Sequence, residues 1–454
     1  MNNEHDLTTG SIMGKLSHFF FPILFGMLFF QLYNTVDAVV VGRCVGPAAL
    51  AAVGGSPAVI TNLVIGFFNG LSSGATVITS QYYGSHDDER MSQAVHTILC
   101  FCLIAGVALT VLGWITAPWA LRVVKTPADI MGDSVTYLRL YYLGATAMLL
   151  FNIGSGILRS VGDSHWPLVF LAVCCGLNIA LDLLFVAVFH WDVAGVAWAT
   201  VLSLTVSAAA LLLHLSRQDG PWRFHWRALR IHLSSLRRIL YIGVPSAVQG
   251  AMYSLSNLLL QTAINSFGTT VVAAWTAIGK FDGLFWVTSN SLGSAICTFV
   301  GQNFGAGQYD RMRKGVRQWL LTSCGVSVCL SVFMLTLSRW ALLLFTNDAD
   351  VIQLGVTMLW YFSPYYIFWT ITEILSNSLR GAGDSIRPMI ICLVGICLLR
   401  VLWILFIVPR WNTVAGVSLS YPFTWIVTAA VFAIYYLRGN WLKRCMGHLP
   451  NTAN

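Results

Sequence analysis

Charge is what this sequence has least of. Asp, Glu, Lys and Arg together supply 10% of its 454 residues, while 57% are hydrophobic. A soluble globular chain carries about 25% charged residues, so a soluble enzyme or nucleic-acid-binding domain is excluded and an integral membrane protein is indicated. No polar stretch of domain length interrupts the apolar runs. The eleven cysteines show neither metal-ligand spacing nor an extracellular pairing pattern, and read as small apolar packing residues. The glycine-rich stretch Gly301–Gly307 lacks the Lys-Ser/Thr of a phosphate-binding loop and follows an apolar run, so it reads as a turn. His190 and His214 stand alone, and no His, Ser or Asp constellation sits near an interface, so an intramembrane enzyme is not expected. The first apolar run follows a polar tail, is long, and lacks a small-residue cleavage site, which argues against a cleavable signal peptide.

What is there is a series of twelve apolar spans, near 17–41, 50–78, 93–116, 131–155, 166–188, 193–215, 237–265, 271–299, 315–337, 351–377, 387–408 and 414–437. The net charge of +8 is distributed by side. Of the 26 Lys and Arg, 18 fall on the side shared by both termini and the even-numbered links. That bias predicts cytoplasmic termini, and it makes the basicity a topology signal with lipid headgroups as its contact, not nucleic acid.

The chain also repeats itself. Pro22 and Asn34 recur at the same separation as Pro245 and Asn257. At an offset of 221, Arg159, Gly162, Asp163, Ser164 and Pro167 match Arg380, Gly383, Asp384, Ser385 and Pro388, and Ala194-Gly195-Val196 matches Ala415-Gly416-Val417. Each half holds six spans, an even number, so both insert the same way. The expected fold is all-α: twelve transmembrane helices in two six-helix lobes, 1–225 and 226–454, related by a pseudo-two-fold axis along the membrane normal around a central cavity. In the repeated Arg-x-x-Gly-Asp-Ser-x-x-Pro motif, Gly and Asp end one helix and Ser or Asp caps the next, with Pro in its first turn. Arg159 and Arg380 are expected to face the inner leaflet.

Within this apolar frame the ionisable residues stand out. The first span carries one carboxylate, Asp37, on the face shared with Tyr33 and Asn34; the fifth carries Asn178 and Asp182, four apart; the sixth supplies Thr200. An ionisable group at the centre of a membrane span costs at least ~2.5 kcal/mol on insertion scales and faces a cavity or an ion path. Two carboxylates with an amide and a hydroxyl oxygen form a hard, oxygen-only set suited to Na⁺ or a proton, not to zinc or copper. Left empty, neighbouring carboxylates repel, so the pair takes up a proton or a cation.

The second half does not repeat this set: Leu260 stands at the position of Asp37 and Trp403 at that of Asp182. It offers Gln249, Asn257, Gln261, Lys280, Asp282, Glu373 and Arg400 instead. Lys280 and Asp282 could neutralise one another. Glu373, at the repeat position of Asn152, is the better group to meet a cationic substrate. Tyr33 and Tyr137 could present π faces to it.

Pro22, Asn34-Thr-Val-Asp37 ending at Gly42, Asn178-Ile-x-Leu-Asp182-x-x-Phe185, the segment from Pro245 through Ala-Ile-Asn-Ser-Phe-Gly, Phe299-Val-Gly-Gln and Gly305-Ala-Gly together resemble the multidrug and toxic compound extrusion (MATE) family. The likeness is nearest to its bacterial DNA-damage-inducible-protein-like branch and covers essentially the whole chain. It implies a multi-pass protein of the bacterial inner (plasma) membrane, a monomer, without a cofactor, that exports amphipathic and often cationic small molecules against H⁺ or Na⁺ by alternating access. Carried over, the family's first-lobe cation site falls on Asp37, Asn178, Asp182 and Thr200, and its chamber on Tyr33 and Tyr137. Asn34, Asn152, Asn257, Asp282 and Glu373 complete the expected substrate cavity. Another branch has a glutamate in helix seven where this chain has Tyr253, so a second-lobe cation site of that type is not expected. The alternative in the same architecture is a flippase for lipids or lipid-linked sugars, which would favour a strongly cationic cavity.

Overall fold

The computed structural model describes residues 6–447 and is built of helices and the turns between them. Helix α1 runs Ile12–Val45 and α2 Ala48–Gly84; α3 is Asp88–Val123; α4 is a pair, Met131–Leu143 and Ala145–Ser160, bent by 47° at Gly144. Then come α5 His165–Val188, α6 Asp192–Ser216, α7 Leu233–Asn265 and α8 Thr269–Gly305. Helix α9 is Tyr309–Leu343, and α10 joins Ala349–Phe362 to Tyr366–Gly381 through a 3₁₀ turn. Ile386–Phe406 is α11, Val414–Arg438 is α12, and the short α13 is Trp441–Gly447.

Eight of these helices are long and apolar enough to cross a membrane, and the bent α4 makes a ninth. The three expected spans outside that number coincide with α7, α8 and α10. The reason is compositional, since these helices carry Gln249, Asn257 and Gln261, Lys280 and Asp282, and Glu373. Polar side chains dilute the hydropathy of a span that has internal work for them.

The described chain forms two compact units. One contains Phe21–Ala247; the other contains Leu7–Phe20 and the chain from Val248 onward. Both changes of unit fall inside helices, α1 and α7, and both lie within three residues of the repeated prolines Pro22 and Pro245. Proline withholds one backbone donor from its helix and crowds the preceding turn, so each helix is weakest where it changes unit.

Inside the first unit, α2 meets the start of α7 through glycine. A Cβ on Gly70 would lie 2.2 Å from the Ala247 backbone, and one on Gly74 would lie 2.5 Å from the Ile239 carbonyl. Only the absence of a side chain permits that approach. In the second unit the N-terminal strap is held by side chains: Gln302 Oε1 accepts from Leu7 N at 3.0 Å, and Arg311 donates to the carbonyls of Leu7, Thr9 and Gly10. The repeated glycines Gly162 and Gly383 adopt left-handed φ of 88° and 101°. Asp163 Oδ1 then accepts from His165 N and Trp166 N at 3.1 and 3.2 Å, capping α5 as its spacing predicts.

Candidate functional site

Four helices of the first unit assemble the candidate site. Tyr33 and Asp37 come one turn apart from α1, Tyr137 from α4, Asn178 and Asp182 one turn apart from α5, and Thr200 from α6. The carboxyl groups of Asp37 and Asp182 meet, and Tyr33 and Tyr137 stand within electrostatic reach of the Asp37 charge. Asn178 and Asp182 are fully buried, Thr200 is 5% exposed and Tyr137 8%. Tyr33 OH lies 3.3 Å from Thr200 Oγ1, tying α1 to α6. Tyr137 packs with Val40, Val41, Val193 and Val196 in an apolar cluster.

The polar atoms of this cluster are left unsatisfied. Asp37 Oδ1, both Asp182 oxygens and both polar atoms of the Asn178 amide are buried with no hydrogen-bond partner among the described residues. Two ionised carboxylates cannot satisfy one another, since each only accepts. A buried polar group without a partner costs about 1–3 kcal/mol, and more when charged. A proton shared between the carboxyls, or a small cation facing the Asp37, Asp182 and Asn178 oxygens, would satisfy the four oxygens among these five atoms. Two carboxylates, an amide oxygen and a hydroxyl are hard donors, of the kind that hold a proton or Na⁺.

The backbone adapts beside these residues. Helix α1 turns π-helical at Val41–Val45, one turn after Asp37, and α5 does so at Leu183–Val188, immediately after Asp182. A π turn inserts one residue into the hydrogen-bond ladder and re-aims the side chains around it.

The other expected cavity residues are placed differently. Asn34 is exposed beside Tyr33. Asn152 turns its amide back to the Met148 carbonyl at 3.0 Å and takes no part in the cluster. In the second unit Asn257 accepts from Arg400 at 3.1 Å, and the Arg400 guanidinium lies 4.3 Å from the Tyr421 ring centre. By the 221-residue offset Tyr421 stands where the first half has Thr200, so the second unit holds a guanidinium, fixed by Asn257, beside that position. Asp282 does not pair with Lys280, which is exposed; it accepts from Tyr366 OH and, at 2.5 Å, from Trp286 Nε1.

Glu373 belongs to a network that spacing alone did not reveal. Asn377 Nδ2 donates to Glu373 Oε1 at 2.7 Å, Arg380 donates to Asn377 Oδ1 and to Gln249 Oε1, and Gln249 Nε2 donates to Tyr253 OH at 3.0 Å. Arg380 is therefore turned into the bundle and not toward a leaflet. The signal was available in the i, i+4 step from Glu373 to Asn377 and the i, i+7 step to Arg380, which put all three on one face.

Comparison with known proteins agrees with this architecture. The MatE family model matches residues 22–184 and again 245–405, one match to each half of the repeat. The chain is 27% identical over 435 residues to a probable multidrug resistance protein, YoeA, of Bacillus subtilis, covering 94% of each. It is 24% identical over 438 residues to a second, YpnP, of the same organism, covering 96% of this chain and 97% of the relative. The solved structure of a MATE protein in complex with MaL6 superposes with a TM-score of 0.91 at 22% identity, over 98% of this chain and 100% of that one. A family match over both halves, together with that fold, places this chain in the MatE family of multi-pass membrane transporters.

Proposed function

We propose that the chain is a secondary-active exporter in a bacterial plasma membrane, with both termini in the cytoplasm. It exchanges amphipathic, cationic small molecules for H⁺ or Na⁺, and needs no cofactor or partner chain. The observation that carries this reading is the meeting of Asp37 and Asp182 with unsatisfied buried oxygens beside an unsatisfied Asn178 amide. The naming of the Bacillus relatives as multidrug resistance proteins supports the cargo class.

The coupling follows from electrostatics. Without an ion the two carboxylates repel, and α1 and α5 are pushed apart at their π turns. A proton or Na⁺ between them removes the repulsion and draws α1 toward α5 and α6, with the Tyr33–Thr200 contact fixing its rotation. An ion shifts a two-state equilibrium only by its differential affinity for the two states. Moving the populations from 1:99 to 99:1 takes about 10⁴-fold discrimination, which a charge bound between two carboxylates in one state and exposed to water in the other can supply.

A flippase of related architecture would need interior cations to receive phosphate. The buried or half-buried Arg380 and Arg400 are instead engaged by Gln249 and Asn377, and by Asn257 and Tyr421, which favours export of cations. The test is efflux from reconstituted vesicles with Na⁺ and pH gradients imposed separately. One gradient alone is expected to drive export, and export that ignores both would remove the antiport reading.

A further inference from the structure

Residues 217–232 link α6 to α7, and this link is held against α3 by two neighbouring side chains, His96 and Thr97. His96 is only 2% exposed, and Thr97 is fully buried. Thr97 Oγ1 accepts from His232 N at 3.1 Å and donates to the Arg230 carbonyl at 3.3 Å. His96 Nε2 lies 3.0 Å from His225 N, and Nδ1 lies 2.8 Å from the Ser92 carbonyl of its own helix. The His96 ring stacks on that of Phe224 at 6.2 Å between centres, and Phe224 is itself buried. All of these residues belong to the first unit.

These partners fix the protonation of His96. A carbonyl only accepts, so Nδ1 carries a hydrogen; a backbone N–H only donates, so Nε2 is bare. The imidazole meets both demands only while neutral. A proton on Nε2 would set N–H against N–H across 3.0 Å, breaking the bond to His225 and leaving a buried charge. Nothing around the ring compensates that charge. The link contributes His225, whose ring lies nearly parallel at 6.2 Å, and His232, which stands within electrostatic reach. On α3 the facing group is Ser92. The ion pairs among the described residues join Arg90 to Asp87 and Arg387 to Asp384, and neither includes His96.

We infer that His96 is a proton-sensing latch, which holds the α6–α7 link on α3 while neutral and releases it when the adjoining solution acidifies. The docked state binds one proton fewer than the undocked one, in which the ring meets water and takes its proton at about pH 6.5. Docking is therefore complete above that value and weakens as pH falls through it, by about tenfold from pH 7.5 to 5.5. Thr97 supplies the part of the hold that pH does not touch. The link runs straight into the first turn of α7 at Leu233, so its release frees that helix at the end away from Pro245. The latch rests on the exporter reading only for its use: in the proposed topology the link is cytoplasmic, where acidification by protons entering in exchange for cargo releases it. The second half lacks it, since Arg317 and Gln318 occupy the repeat positions of His96 and Thr97.

Hydrogen–deuterium exchange of the full purified chain, read by mass spectrometry between pH 5.5 and 8.5 with no cargo and no gradient, tests the latch separately from coupling. Protection is taken relative to the unstructured rate at each pH. Over residues 222–232 the parent is expected to lose about tenfold in protection from pH 7.5 to 5.5, while residues 69–76 of α2 stay unchanged. In His96→Gln and His96→Ala, protection of the link is expected not to vary with pH, whatever its level. Thr97→Val lowers it at every pH and keeps the pH dependence, which His225→Gln and His232→Gln also keep. Protection that ignores pH in the parent, a loss that persists in both His96 variants, or one abolished by His225→Gln would overturn the latch. None of those results would bear on the Asp37–Asp182 pair.

Discussion

Asp37 and Asp182 are the residues on which the functional reading stands, and each has a separable part. Asp37→Asn replaces a carboxylate with a neutral group of the same shape, which relieves the repulsion without opening a cavity. It is expected to abolish ion-driven export while membrane insertion and monodispersity in detergent stay as in the parent; transport at the parent rate would remove the coupling claim. The same variant offers a stability readout. An ion that binds only the folded state, at 100 times its Kd, stabilises by about 2.7 kcal/mol. The parent is therefore expected to show a rise in melting temperature with Na⁺ or with acidification, and Asp37→Asn and Asp182→Asn to show none. Tyr33→Phe deletes one hydrogen bond, to Thr200. A loss of about 1 kcal/mol predicts ion affinity weakened about fivefold with export retained, read by the ion concentration for half-maximal stabilisation.

Helices α1 and α7 each change unit next to a proline. Pro22→Ala and Pro245→Ala restore a backbone donor and stiffen those helices where motion has to be absorbed. Each is expected to slow export severalfold more than it weakens cargo binding; an equal loss in both would mean the prolines serve folding alone. Packing between α2 and α7 yields a sharper expectation. Gly74→Leu places side-chain atoms where backbone already stands within 2.6 Å, and overpacking of that kind costs 1–3 kcal/mol or more. The folded yield of Gly74→Leu by fluorescence-detected gel filtration should collapse, whereas Gly279→Ala, facing open space, should express normally. Much of this level could be read from residues alone. The offset of 221, the paired prolines and the Asn178–Asp182 step pointed to helices that the structure contains, and Asp37 meets Asp182 as their spacing suggested. What spacing could not reveal was side-chain direction across helices. Arg380 turns inward to Gln249, Asp282 chooses Trp286 and Tyr366 over Lys280, and Asn152 bonds its own helix. Tryptophans that read as packing include three that line one recess, Trp275, Trp286 and Trp425, because a periodic pattern says which face a ring occupies and nothing about whether the space beside it is filled.

At the scale of the whole chain, the two halves share a fold and divide their chemistry. The first brings the Asp37 and Asp182 carboxyls together with buried, unsatisfied oxygens. The second has Leu260 and Trp403 at those positions, pairs Arg400 with Asn257, and gathers Asp282 and Glu373 into separate polar groups. The even number of spans and the bias of basic residues predict both termini on the cytoplasmic side, so a fluorescent protein fused to the C-terminus should fold and fluoresce in cells while alkaline phosphatase fused there stays inactive. The central claim is that a cation leaves the Asp37–Asp182 pair when cargo is taken up. It is tested most directly by adding cargo to purified protein in weakly buffered solution and following pH with an indicator dye and bound ²²Na⁺ by filtration. The account predicts release of one of the two ions by the parent and none by Asp37→Asn/Asp182→Asn, whereas release of the same amount by both proteins would contradict it.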